Sequence, residues 1–169
     1  MKDLSIAQEY YLCAVNDKGG FSVFSTAQPV CFVAAALLVL MNNGFVRIEN
    51  EKLVVTGGLN EQFCDLSPMY EIIKKSSKPK SIESLVEGYT FSLTDKNFQA
   101  LLQSVGGALV ADGCAEVVIK KSLFNRSQKR ILPNRACTEN VIQKVRAELL
   151  EDGTVSDETV ALVSLLNKA

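Results

Sequence analysis

The sequence predicts a mainly α-helical, compact domain with small antiparallel β-hairpins in winged-helix-like units, one of them a projecting basic hairpin. Three observations predict it. Apolar residues recur at helical spacing through most of the chain, a glycine closes two of the helical stretches, and each glycine leads into a short alternating segment broken by polar residues. With 169 residues the chain is long enough for one domain, 1–169, with a substantial core. Its 47% hydrophobic and 22% charged content belongs to a folded globular protein, not a disordered one.

Ser5 starts the first helix, and Gln8, three residues on, completes a capping box. Ile6, Tyr10, Cys13 and Ala14 then keep helical spacing until the breaker run from Asn16 to Gly20. Phe21-Ser22-Val23-Phe24 is expected to be a short strand. The next helix is expected over Ala27 to Asn43, with Pro29 tolerated in its first turn. Its apolar run is too short for a membrane span, which needs roughly 20 residues, so Val33 to Met41 is expected to be a buried core helix. Phe45 to Glu49 and Lys52 to Val55 form a hairpin around Asn50-Glu51.

Ser67-Pro68 opens a short helix to Lys75, followed by an exposed breaker-rich loop, Ser76 to Lys80. Ser81 caps a helix carrying Ile82, Leu85, Val86 and Tyr89 on one face. Thr94 is expected to cap the long helix Asp95 to Asp112. Gly106-Gly107 inside that helix costs about 1 kcal/mol per glycine relative to alanine, which implies close packing against another helix. A second hairpin is expected over Glu116 to Leu132, and Thr138 and Ser156 are expected to cap the last two helices.

A net charge of -1 gives no bulk attraction to nucleic acid or membrane, so any such contact needs a local patch. Histidine is absent, which removes Ser-His and Cys-His nucleophile pairs and every histidine metal site. The five cysteines are dispersed with no CxxC pair, so they are expected to be reduced and mostly buried, with no metal and no cofactor. Met1-Lys2-Asp3 leads into helical sequence with no signal-peptide pattern, and a cytoplasmic location is expected. The carboxylates open to catalysis, Asp17, Glu61, Asp65, Asp112 and Asp152, sit in turns or near helix ends, where acids serve caps and solvation. No GxxxxGKS/T loop is present, and an enzyme is not expected.

Several motifs recur in a fixed order. LSIAQEYYLCAVNDKGG runs from Leu4 to Gly20, VAAALLVLMNNGFVRI from Val33 to Ile48, and LVADGC from Leu109 to Cys114. Leu123-Phe124 precedes Pro133, and DETVALVSLL spans Asp157 to Leu166. This order resembles the Golgi phosphoprotein 3 family nearly end to end, in its prokaryotic type. The resemblance implies a compact helical fold with a projecting hairpin, and a non-enzymatic peripheral-membrane or adaptor role. In the eukaryotic members that role is phosphatidylinositol 4-phosphate binding on Golgi membranes and adaptor service to glycosyltransferases; the resemblance also links the hairpin to oligomer formation. The family's lipid-pocket positions fall near Ser25, Val33, Gln99 and Leu102, where a tryptophan and three arginines are replaced by residues that make no bidentate phosphate contact.

One feature points to anionic lipid on physical grounds. Lys120, Lys121, Arg126, Lys129, Arg130 and Arg135 lie between Glu116 and Glu139 with no acid among them. If Ser122 to Lys129 is the projecting tip, Leu123, Phe124, Ile131 and Leu132 add apolar surface beside these charges. Each basic residue near an anionic bilayer contributes about 1 kcal/mol, and an apolar wedge supplies a second membrane signal. The competing explanations are a solvated charged face and self-association of two copies through this hairpin. A nucleic-acid-binding winged helix is the rival function, and a protein-interaction module with an unknown partner is another. Nucleic acid is not expected, because VAAALLVLM before the first hairpin is built for burial, and only Gln99 and Gln103 mark the second helix as a reader.

Overall fold

The computed structural model describes residues 3–91, 94–121, 127–151 and 153–169. The fold is mainly helical: α1 (Ile6–Ala14), α2 (Ala27–Asn42), α3 (Ser67–Lys75), α4 (Ile82–Thr90), α5 (Lys96–Ala111), α6 (Arg135–Leu150) and α7 (Asp157–Lys168). Two antiparallel hairpins interrupt the helices, β1 (Val46–Glu49) with β2 (Lys52–Val55), and β3 (Ala115–Lys121) with β4 (Ser127–Pro133).

Local chemistry accounts for most boundaries. The Ser5–Gln8 capping box is formed in both directions, and Ser81 and Ser156 accept from the backbone N–H groups of Ser84 and Thr159. Gly44 and Gly113, both left-handed, follow the ends of α2 and α5 and turn the chain into the hairpins. Asn50 and Glu51 both hold positive φ, the backbone of a tight two-residue hairpin turn.

Three expectations need correction, and one element is new. Phe21 to Phe24 forms a turn, not a strand: Phe21 packs into an aromatic cluster while Val23 and Phe24 point to solvent. The N-cap of α5 falls at Asp95 instead of Thr94. The N-cap of α6 is Asn134, whose side chain accepts from the Ala136 N–H. Thr138 lies inside that helix, and its hydroxyl donates to the Leu12 carbonyl at 3.1 Å, joining α6 to α1. A 3-10 segment over Glu61–Leu66, which periodicity does not announce, leads into α3.

α2 is the buried axis of the molecule. Phe32, Val33, Ala35, Ala36 and Leu40 are wholly inaccessible, and α1, α3, α4, α7 and β1 surround them. α5 is the second support. At Gly106 an added Cβ would stand 2.8 Å from the Tyr11 hydroxyl and 3.2 Å from Ile131 Cδ1, so the missing side chain is what admits Tyr11. The Tyr11 hydroxyl donates to the Ile131 carbonyl at 3.2 Å. One glycine thus lets α1, α5 and the second hairpin meet.

Candidate membrane-binding surface

The second hairpin has a fixed register, with Ala115 opposite Pro133, Val117 opposite Ile131 and Ile119 opposite Lys129. Opposed side chains in an antiparallel pair share a face, so these residues form one face of the hairpin. Its exposure grades outward. Ala115 and Ile131 are in the core, Val117 is 39% exposed and Ile119 is 68% exposed. Beyond the core, then, the face offers a short apolar stripe with the exposed Lys129 across from its end.

The other face carries Glu116 with Leu132 and Val118 with Arg130. The turn after α1 covers it. Gly19, at φ +74, lies so close that a Cβ would come within 3.0 Å of Arg130 Cβ. Arg130 is half-buried there.

Of the six candidate cations, the three whose side chains are described, Lys129, Arg130 and Arg135, do not share one face. Lys120 and Lys121 occupy the outermost rungs, opposite Gln128 and Ser127; their side chains, and Arg126 entirely, lie outside the described residues. Lys129 is exposed on the outer half and Arg130 sits against the Gly19 turn. Arg135 is not on the hairpin. It opens α6, roughly 20 Å from the outer end of a seven-residue strand, in a cleft that also holds Asp17, Glu116 and Glu139. A cation in a helix's first turn faces the positive end of the dipole, and these three carboxylates offset that cost.

The four family-pocket positions also separate. Val33 is sealed in the core. Ser25 caps the approach to α2, accepting from the Gln28 N–H, and its hydroxyl donates to the Ala169 carbonyl. Gln99 and Leu102 line a cleft of about 270 Å³ with Phe21, Pro29, Tyr89 and Asp95. None of the residues lining this cleft is basic, and Asp95 is acidic, so the cleft offers a phosphate no charge-assisted donor. The Tyr89 phenol is buried without a hydrogen-bond partner among the described residues, and burial pushes its pKa upward.

Other polar groups sit where spacing in the sequence gives no signal. Glu9, buried in α1, accepts from Lys144 of α6 at 2.9 Å across 135 positions of chain. Burial raises the Glu9 pKa against the pull of the lysine. Gln8 donates to the buried Asp65 at 3.2 Å, which gives that carboxylate a structural bond. Among the described residues no cluster of three or more metal-ligating side chains occurs, and no helix is long and apolar enough to cross a membrane.

A search of curated proteins returns no match. The family model described as Golgi phosphoprotein 3 (GPP34) matches residues 6–169, from the first residue of α1 to the last residue of the chain. That span includes both hairpins, the buried α2 and the α5 glycine that seats Tyr11. The chain belongs to the Golgi phosphoprotein 3 family.

Proposed function

We propose that this chain is a non-enzymatic peripheral domain that docks on anionic membrane surfaces through the outer half of the second hairpin. The observation that carries the proposal is the face on which Val117 and the 68%-exposed Ile119 stand clear of the core with Lys129 opposite. Lys120, Lys121 and Arg126 follow toward the tip in sequence, and Arg130 lies one residue below Lys129. Apolar insertion beside basic charge is the two-signal arrangement that holds a protein at a bilayer.

Family membership supports a membrane role, while the substitutions at Ser25, Val33, Gln99 and Leu102 argue against a conserved phosphatidylinositol 4-phosphate clamp. Binding should therefore follow membrane charge rather than one headgroup. Arg135, surrounded by carboxylates, contributes little. Self-association through the hairpin is the second reading, favoured by the same exposed Ile119.

The test is vesicle co-sedimentation at low and near-physiological salt, with neutral, generic anionic and phosphatidylinositol 4-phosphate vesicles. A Lys121→Gln/Arg126→Gln/Lys129→Gln variant runs beside the unaltered chain. The expected result is salt-sensitive binding to any anionic vesicle, lost in the variant. Binding confined to the phosphoinositide vesicles would refute the charge-based mechanism, and binding to none would refute the membrane role.

A further inference from the structure

We infer that the turn carrying Val23 and Phe24, together with Phe91 beside the neighbouring cleft, is a second bilayer-inserting edge that works without capturing a phosphate. The inference rests on the membrane role proposed above. Val23 is 92% exposed and Phe24 is 96% exposed, values that leave both side chains almost wholly in water. Two adjacent apolar side chains that open, on a turn, invite a partner. Phe91, 71% exposed, is the C-cap of α4 and follows Thr90, which lines the same cleft as Ser22, the residue before Val23 and Phe24. All three exposed apolar residues are thus chain neighbours of that cleft's lining.

The turn is held firmly. Phe21 points inward, its ring 5.4 Å from Phe32 and 5.9 Å from Phe98. The Ser22 hydroxyl accepts from the Phe24 N–H, the Ser22 carbonyl accepts from the Ser25 N–H, and the Ser22 N–H donates to Gln28 Oε1 at 2.8 Å. These bonds matter for the choice of partner. Backbone N–H groups already bonded within the turn lose little on entering an apolar phase, whereas free ones are costly there.

The turn itself carries no acid. None occurs between Asp17 and Glu49, and Lys18 precedes it, while the one acid lining the neighbouring cleft is Asp95. That cleft has no basic lining residue, so apolar insertion, and not headgroup phosphate, is what this edge offers. A bilayer satisfies all of these features together.

The chain contains no tryptophan, so a Phe24→Trp variant reports on this position alone. Its fluorescence is followed on generic anionic vesicles with and without brominated acyl chains. A Leu150→Trp variant, exposed at the end of α6, is the control. The expected result is a blue shift and bromine quenching at position 24, with neither at position 150. A Val23→Ser/Phe24→Ser variant, checked for unchanged circular dichroism, should lose at least about tenfold in vesicle partitioning, because burial of even one such side chain is worth that much.

Vesicle binding of the Phe24→Trp variant with its tryptophan unquenched would overturn this inference and leave the hairpin mechanism standing. No binding by the unaltered chain would overturn both. A blue-shifted Trp at position 24 before any lipid is added, in a species that runs as a dimer, would make the edge a contact between copies and refute insertion.

Discussion

Replacing the two central glycines of α5 by alanine tests the packing argument directly, because the residues are adjacent and their surroundings differ. An exposed helical Gly→Ala change gains about 1 kcal/mol from propensity alone. Gly107 has nothing within 4 Å of an added Cβ, so Gly107→Ala should be more stable by about that amount. At Gly106 the same gain meets the Tyr11 hydroxyl at 2.8 Å, the Tyr11 ring carbon at 3.1 Å and Ile131 at 3.2 Å. Overpacking costs about 1–3 kcal/mol, and pushing Tyr11 aside gives up its bond to the Ile131 carbonyl, about 1 kcal/mol more. Gly106→Ala should therefore be destabilised by about 1–3 kcal/mol net. Urea unfolding monitored by circular dichroism measures both, and a Tyr11→Phe/Gly106→Ala double variant isolates the hydroxyl. Removing the oxygen relieves the closest clash, so the double variant should lose about 1 kcal/mol less than the sum of the single losses. Equal stability of the two Gly→Ala variants would refute the packing account, and strict additivity would remove Tyr11 from it.

Glu51 sits at φ 62 in the first hairpin's turn, a strained conformation for a non-glycine residue, and Glu51→Gly should raise the denaturation midpoint by an amount equivalent to about 0.5–1 kcal/mol. The Glu9 pKa is raised from 4.5 chiefly by burial, with Lys144 opposing, so the native state holds this proton more tightly than the unfolded chain does. Its contribution is full below that value and is lost as pH rises through the folded pKa. Stability of Glu9→Gln relative to the unaltered chain should accordingly improve between about pH 4 and about pH 7 in urea unfolding, and a flat difference would contradict it. Cys64 is exposed, whereas Cys13 and Cys114 are each pushed up to about 11, chiefly by burial. Maleimide labelling of the native protein followed by peptide mapping should modify Cys64 first and leave Cys13 and Cys114 until denaturant is added.

Helix starts with a serine cap and helix stops at glycine were legible because each is a bond or a dihedral set by neighbours, as at Ser5, Ser81, Ser156, Gly44 and Gly113. Choices between two good local candidates were not. Asn134 and Thr138 both suit a cap, and the Leu12 carbonyl, 126 positions away, takes the threonine hydroxyl. Phe21 to Phe24 has the composition of a strand, yet no strand lies beside it among the described residues and Phe21 is drawn into the aromatic cluster. The candidate site divides in the same way. The list of basic residues was readable, but register alone puts Lys129 across from Ile119, and the true start of α6 takes Arg135 away from them. Glu9 with Lys144 has no signature at all, since the pair exists only once α1 and α6 are packed.

The mounting of the second hairpin has a mechanical consequence. β4 is gripped at Ile131 by the Tyr11 hydroxyl and at Arg130 by the Gly19 turn, and Asn134 is the single residue between its end at Pro133 and the start of α6. The outer rungs thus project from a fulcrum fixed in the core, with only the bending of one two-stranded ribbon between them and the body. For the docking proposed above, such a post would arrive already oriented, so most of the ordering entropy of those strands is spent in folding and little is left to spend at contact. Loosening the fulcrum, by Tyr11→Phe or by a bulky residue at Gly19, would slacken the post without touching a single residue at its tip.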